Sequence, residues 1–168
     1  MKQLLIITIL FLVSKITLAQ DEITKDENGN KVIKGFISRK ELATDTSFAW
    51  FAKNQKDYVP DQGALKALKA NKDSINIIAF GGTWCGDTKY ILPKFFVLAD
   101  AAGLSPDRIT LIGVDHNKKT IQHLSEAFNI ENVPTIIVMK NGKEIGRVVE
   151  YGSHGMFDRD LGEIISKN

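Results

Sequence analysis

Cys85 is the only cysteine in the 168 residues, and it stands where an apolar run, Ile75–Phe80, leads through Gly81-Gly82-Thr83-Trp84 into a helix-forming stretch. A thiol at the junction of a buried strand and a helix faces the unpaired amides of the first helical turn. Those amides and the helix dipole favour an anion at sulfur, and the thiolate is the nucleophilic form. This setting lifts Cys85 from an inert buried thiol to a candidate nucleophile. With no second cysteine there is no internal disulfide, and a mixed disulfide at Cys85 would need an external thiol to release it. Thr88, one helical turn on, carries a hydroxyl that is expected to donate to the sulfur and favour the thiolate, although a threonine hydroxyl can equally bond its own preceding turn. Asp87 repels an anion, but it is also the residue type a first helical turn prefers, so it reads first as a capping and surface group.

The remaining reactive residues form no competing constellation. His116, His123 and His154 show no ligand spacing with one another or with Cys85, so neither a metal nor a cofactor is expected. His154, between two glycines, is the histidine that could deprotonate Cys85 if the fold brought them together; His116 follows a strand and is expected in a loop near the sheet end. Asp100, Asp107 and Glu150 lack the spacing of paired catalytic carboxylates, and Gly81-Gly82 lacks the Lys and Ser/Thr of a phosphate cradle. A peroxide-reducing site of the peroxiredoxin type places a threonine three residues before its cysteine, whereas Thr83 is two before Cys85.

Periodicity and turn residues supply the elements that must hold these groups. Ser38-Arg39-Lys40-Glu41 fits a capping box opening a helix that carries Leu42, Phe48, Trp50 and Phe51. Tyr58-Val59-Pro60 breaks it, and Asp61 caps a helix from Gly63 to about Asn71. The pattern then predicts a strand at Ile75–Phe80, a helix from Cys85 to about Ala102, a strand at Ile109–Val114 and a helix at Lys119–Phe128. A hairpin follows, with strands Thr135–Met139 and Lys143–Tyr151 joined at Asn141-Gly142, and then a closing helix at Met156–Ile165. Such an order implies an α/β fold with a mixed sheet and helices on both faces. Residues 20–34 are polar and turn-rich, a flexible leader or a small hairpin with little expected function. The expected division is 1–19 as a signal segment, 20–60 as a polar leader with an N-terminal helical extension, and 61–168 as the main domain.

In the order of these pieces the chain resembles the thioredoxin family. Trp84-Cys85-Gly86-Asp87-Thr88-Lys89 is similar to its Trp-Cys-Gly-Pro-Cys-Lys signature, and Pro93 falls where the family kinks its active-site helix. Val133-Pro134-Thr135 is similar to its second signature, a cis proline facing the cysteine, and Asn141-Gly142-Lys143 and Gly152 match its hairpin and last turn. The resemblance implies a thioredoxin fold with a central mixed sheet, an accessible Cys85, and a peptide groove bordered by Trp84, Gly86, Asp87 and the backbone of Val133 beside Pro134. Its partners would be protein thiols or disulfides, with a low-molecular-weight thiol as possible reductant. Two departures remodel that site: Thr88 replaces the resolving cysteine, and Ala79 replaces the family's buried acid. Thiol-disulfide exchange of monothiol type is the leading expectation, and a redox-inactive module that binds extended peptides is the alternative.

Export is expected as well. Lys2, the apolar run Leu4–Val13 and Thr17-Leu18-Ala19 have the layout of a cleavable signal segment, too short at about half the ~20 residues of a membrane span. Cleavage near Ala19 would leave the protein periplasmic or extracellular, with membrane contact only through the precursor. Lys2 and Lys15 account for the whole formal charge of +2, and no unmatched basic cluster remains, so no nucleic-acid partner is expected.

Overall fold

The structure is a computed structural model that describes residues 21–167; the expected signal segment lies outside the described residues. Six strands form one sheet: β1 (Glu22–Lys25), β2 (Lys31–Phe36), β3 (Ile75–Gly81), β4 (Ile109–Gly113), β5 (Thr135–Lys140) and β6 (Lys143–Val149). Their spatial order is β1-β2-β4-β3-β5-β6, with only the β3–β4 pair parallel. Around it lie α1 (Arg39–Thr44), α2 (Ala49–Lys53), α3 (Gln62–Asn71), α4 (Gly86–Ala102), α5 (Leu124–Ala127) and α6 (Phe157–Ser166). This is the α/β arrangement with a mixed central sheet that the sequence implies.

Strand periodicity sorts the core into two layers. Ile75, Ile77 and Ala79 of β3, Leu111 of β4 and Ile136 and Val138 of β5 face a cluster that includes Leu68, Phe95, Phe96 and Leu161 of the helices. The alternate residues Phe80, Ile112 and Ile137 face the other side with Ile130 and Val133, where Trp84, Cys85 and Phe128 also pack. Ala79, at the position of the family's buried acid, is fully buried among apolar groups.

The N-terminal part departs most from expectation. Residues 22–36 form the hairpin alternative rather than a flexible leader, and β2 pairs with β4, adding two strands to the sheet. The expected helix over Leu42–Phe51 is split at Asp45, whose backbone is extended and whose carboxylate accepts the Ser47 N–H at 2.8 Å. That bond, with Lys31 at 3.0 Å, holds the Asp45 carboxyl down at about 2. Ser38 caps α1 by accepting the Glu41 N–H at 3.0 Å, but the Glu41 carboxylate turns to Lys31 at 2.8 Å instead of closing a capping box.

The expected helix over Lys119–Phe128 shrinks to a single turn, α5. Thr120 is extended and donates its hydroxyl to the Gly113 carbonyl at 2.7 Å, and Gln122 and His123 take left-handed conformations, so helix starts only at Leu124.

α4 is the longest helix among the described residues and carries Pro93 inside it. Proline has no amide for the carbonyl four residues back, here Lys89, and the side chain of Asn54 donates to that carbonyl at 2.8 Å. The helix ends at Gly103, left-handed at φ +72°, with Leu104 N–H bonded to Ala99 O at 2.9 Å.

α6 crosses α3 at Gly162, where an added Cβ would lie 2.5 Å from the Ala64 Cα. Gly162→Ala is expected to separate the two helices and to cost about 2 kcal/mol, read as a lower urea midpoint with an unchanged slope.

Candidate functional site

The tight turn after β3 closes with the Cys85 N–H on the Gly82 carbonyl at 2.9 Å, and Cys85 is the residue that caps α4. Its sulfur is therefore set at the head of a long helix, partly buried, and donates to the Val133 carbonyl at 3.2 Å. The Val133–Pro134 bond is cis, as the sequence suggests, and both residues are buried. The Pro134 carbonyl is taken by the Glu150 N–H at 2.7 Å, whereas the Val133 N–H donates to no group among the described residues. The sulfur thus lies against the residue that carries this unpaired amide.

Gly86 is exposed and leaves its part of the rim open, with nothing within 4 Å of where a Cβ would stand. Asp87 accepts the Tyr151 hydroxyl at 3.0 Å, linking the first turn of α4 to the end of the β6 segment. Burial, and then that contact with the Asp87 carboxylate, push the Tyr151 phenol above its usual range. Beyond it a cleft of about 220 Å³ is lined by Tyr58, Tyr90, Lys94, Tyr151 and Met156. Tyr90 and Tyr151 lie 5.8 Å apart, and the Lys94 ammonium rests over the Tyr90 ring. Val59, Tyr90, Tyr151 and Met156 are exposed, so an apolar face borders this cleft.

Thr88 has a different partner from the one expected. It is 1% exposed, and its Oγ1 accepts the Gly82 N–H at 3.2 Å; its methyl packs against Gly81. The hydroxyl thereby fastens the turn that presents the cysteine, while the hydrogen bond seen at the sulfur is to Val133.

His154 is tied elsewhere. Its ring Nδ1 pairs with Asp160, which also accepts from the backbone of Ser153 and His154 and from the Ser153 hydroxyl at 3.1 Å. Burial raises the Asp160 carboxyl, but the bonds from His154 and Ser153 outweigh it and leave it below its ordinary value. A lowered folded-state value contributes stability above the unfolded carboxylate range and loses it as pH falls through the folded value. Asp160→Asn should therefore cost about 2 kcal/mol near neutrality and flatten the acid limb of a stability-against-pH curve.

Two residues given little weight in sequence prove to be neighbours of the nucleophile. His116 stacks on Trp84, ring centroids 4.2 Å apart and planes at 21°, and Thr83, 4% exposed, bonds to β2. Trp84 itself donates its indole N–H to the Val114 carbonyl at 3.0 Å, and it lies so close to Gly82 that an added Cβ there would stand 2.6 Å from the ring.

A lone cysteine at the head of the helix after a central strand, its sulfur against the residue that precedes a cis proline, defines a thiol-bearing α/β protein of the thioredoxin class. The family model described as Thioredoxin matches residues 62–160, and the chain belongs to that family. A thioredoxin of Echinococcus granulosus is 32% identical over 108 residues, 64% of this chain and 90% of that one. Thioredoxin H2-2 of Oryza sativa subsp. japonica is 34% identical over 84 residues, 49% of this chain and 58% of that one. Among solved structures, a Pseudomonas aeruginosa protein of unknown function superposes with a TM-score of 0.54 at 13% identity, covering 79% of this chain and 90% of that one, a likeness of fold alone. The family relationship supports redox chemistry of the thioredoxin type.

Proposed function

We propose that this protein carries out monothiol exchange with disulfides of partner proteins or small thiols outside the cytoplasm, with Cys85 as the nucleophile. The observation that carries this reading is the contact of the Cys85 sulfur with the backbone beside the cis proline. The Cys85 sulfur lies 3.2 Å from the carbonyl of the residue whose free N–H can pair with an extended partner backbone. In the first step the Cys85 thiolate attacks one sulfur of a partner disulfide, forming a mixed disulfide and expelling the other sulfur as a thiolate, which takes a proton from water. An external thiolate then attacks the partner sulfur of that mixed disulfide, Cys85 leaves as thiolate, and the partner keeps the external thiol in a new disulfide. With Thr88 and Ala79 in place of a second thiol and a carboxylate, that proton transfer is left to solvent.

Trp84, Gly86, Asp87, Val133 and Pro134 form the groove in this reading, and Thr88 acts on Cys85 through the turn it fastens. The adjoining cleft falls below the ~300 Å³ of a small-molecule pocket and suits one side chain of a bound segment. Export, with cleavage near Ala19, rests on the layout of residues 1–19; the mass of the protein recovered outside the cytoplasm checks it.

Two measurements test the activity. Cys85 is expected to react with iodoacetamide at neutral pH faster than free cysteine, and partners captured by the protein should run as adducts on a nonreducing gel, released only by reductant. Cys85→Ser should abolish both. Alkylation no faster than free cysteine, together with partners that persist on Cys85→Ser and need no reductant, would instead establish a noncovalent peptide-binding module.

A further inference from the structure

The hairpin β1–β2 lies outside the segment that matches the family, yet it touches both the loop of the nucleophile and the loop that follows β4. The Thr83 hydroxyl, two residues before Cys85, donates to the Lys31 carbonyl at 2.8 Å and accepts the Ile33 N–H at 3.3 Å. Both partners are backbone groups of β2, so the threonine is stitched into the strand. At the hairpin tip, the Asp26 carboxylate faces the edge of the His116 ring, Nε2 to Oδ2 3.6 Å, while the ring itself stacks on Trp84.

Neither end of this chain of contacts is loose. Asp26 accepts the backbone N–H groups of Asn28 and Asn30 at 2.9 and 2.8 Å and the Asn30 side chain at 2.9 Å, which hold the carboxylate ionised by lowering it below its usual range. The loop bearing His116 is closed by Asp115, whose carboxylate accepts from the Asn117 and Lys119 amides at 2.9 Å each and meets Lys34 of β2 at 3.5 Å. A planar ring held flat against an indole, and itself held by an ionised carboxylate, fixes the indole in one orientation.

We infer that the N-terminal hairpin is a working part of the groove: through Thr83 and through Asp26 and His116 it fixes Trp84 beside Cys85 and so sets the affinity for an extended peptide partner. Asp26, His116 and Thr83 are positioning residues in this assignment. The part concerning peptide affinity rests on the thiol-exchange reading, whereas the clamp on Trp84 does not. The indole is fixed before the partner arrives, so the partner does not bear the entropy of ordering it. One face of Trp84 is given over to His116 and its ring also lies close to Gly82.

The test uses the full chain carrying Trp50→Phe, which leaves Trp84 as its only tryptophan. Acrylamide quenching reads the freedom of Trp84, and saturation with an extended peptide bearing an activated mixed disulfide reads the groove, with iodoacetamide as the reagent that needs none. His116→Ala is expected to raise quencher access and to weaken peptide saturation about two- to fivefold, with a larger loss for the peptide than for iodoacetamide. His116→Phe, which keeps the flat ring, should restore most of both, and Asp26→Asn should then add nothing. Thr83→Val, close in volume but unable to make either bond, should raise quencher access in the same direction. Unchanged access in His116→Ala and Thr83→Val overturns the clamp, and changed access with unchanged peptide saturation overturns its role in the groove. If the parent captures no peptide, the thiol-exchange reading fails while the quenching still decides the clamp.

Discussion

Thr88→Cys is expected to convert a protein that holds its partners in mixed disulfides into one that releases them unaided. The residue is buried one helical turn after Cys85, with its Oγ1 on the Gly82 N–H at 3.2 Å, so an introduced sulfur is confined near the nucleophile. A thiol so placed acts at an effective concentration on the order of 1 mM or more, which releases a mixed disulfide at least about a hundredfold faster than about 10 µM of external thiol. On a nonreducing gel the adducts of the parent should vanish, and thiol titration after oxidation should count none. Losing the threonine hydroxyl and methyl costs stability, about 1 kcal/mol for the hydrogen bond, without removing the fold. Adducts that persist as in the parent would show that the turn keeps the two sulfurs apart. Because Ala79 is fully buried among apolar groups, the gained activity should also lack the contribution of a buried carboxylate, which Ala79→Asp in the same background would test.

The largest loss of stability is expected from Gly113→Ala. Gly113 pairs with Gly35 across the β2–β4 seam, and an added Cβ would collide with the Ile33 carbonyl, a backbone atom that cannot turn aside. β2 must then lift from β4, at a cost of about 3 kcal/mol and a fall in Tm of about 6–12 °C. The damage should spread beyond packing, because the same movement withdraws Ile33 and Lys31 from Thr83 and carries Asp26 away from His116. Gly86→Ala is the contrast: nothing lies within 4 Å of its Cβ position and it begins α4, so its stability should hold or rise slightly. Thermal melts of both variants, with quenching of Trp84, separate the seam from the helix.

These expectations show which features were legible in the sequence. The elements around the cysteine were, because Ile75–Phe80, Pro93, Val133-Pro134 and Asn141-Gly142 each act through local backbone chemistry. The capping of α3 by Asp61, whose side chain accepts the Ala64 N–H at 2.8 Å, was equally local. What escaped depends on pairs far apart in the chain. Thr83 reads as a loop residue because β2, which binds it, lies some 50 positions earlier, and His116 reads only as a loop residue near the sheet end because neither Asp26 nor Trp84 is near it in sequence. Thr88 was assigned to the sulfur by helical spacing alone, a spacing that serves the Gly82 amide just as well. The break at Gln122 and His123 came from Thr120 reaching the sheet end, a tertiary contact that outweighed helix periodicity.

The pairing of β2 along β4 has one more consequence. β4 runs through the middle of the six-stranded order, and β2 supplies the antiparallel hydrogen bonds on its outer side. A fragment trimmed to residues 62–160 would keep the cysteine but strip β4 of that neighbour, exposing a line of unsatisfied amides and carbonyls beside Leu111 and Ile112. Bare strands of that kind template pairing between molecules. The hairpin therefore covers β4 and moves that open edge of the sheet outward to the short strand β1.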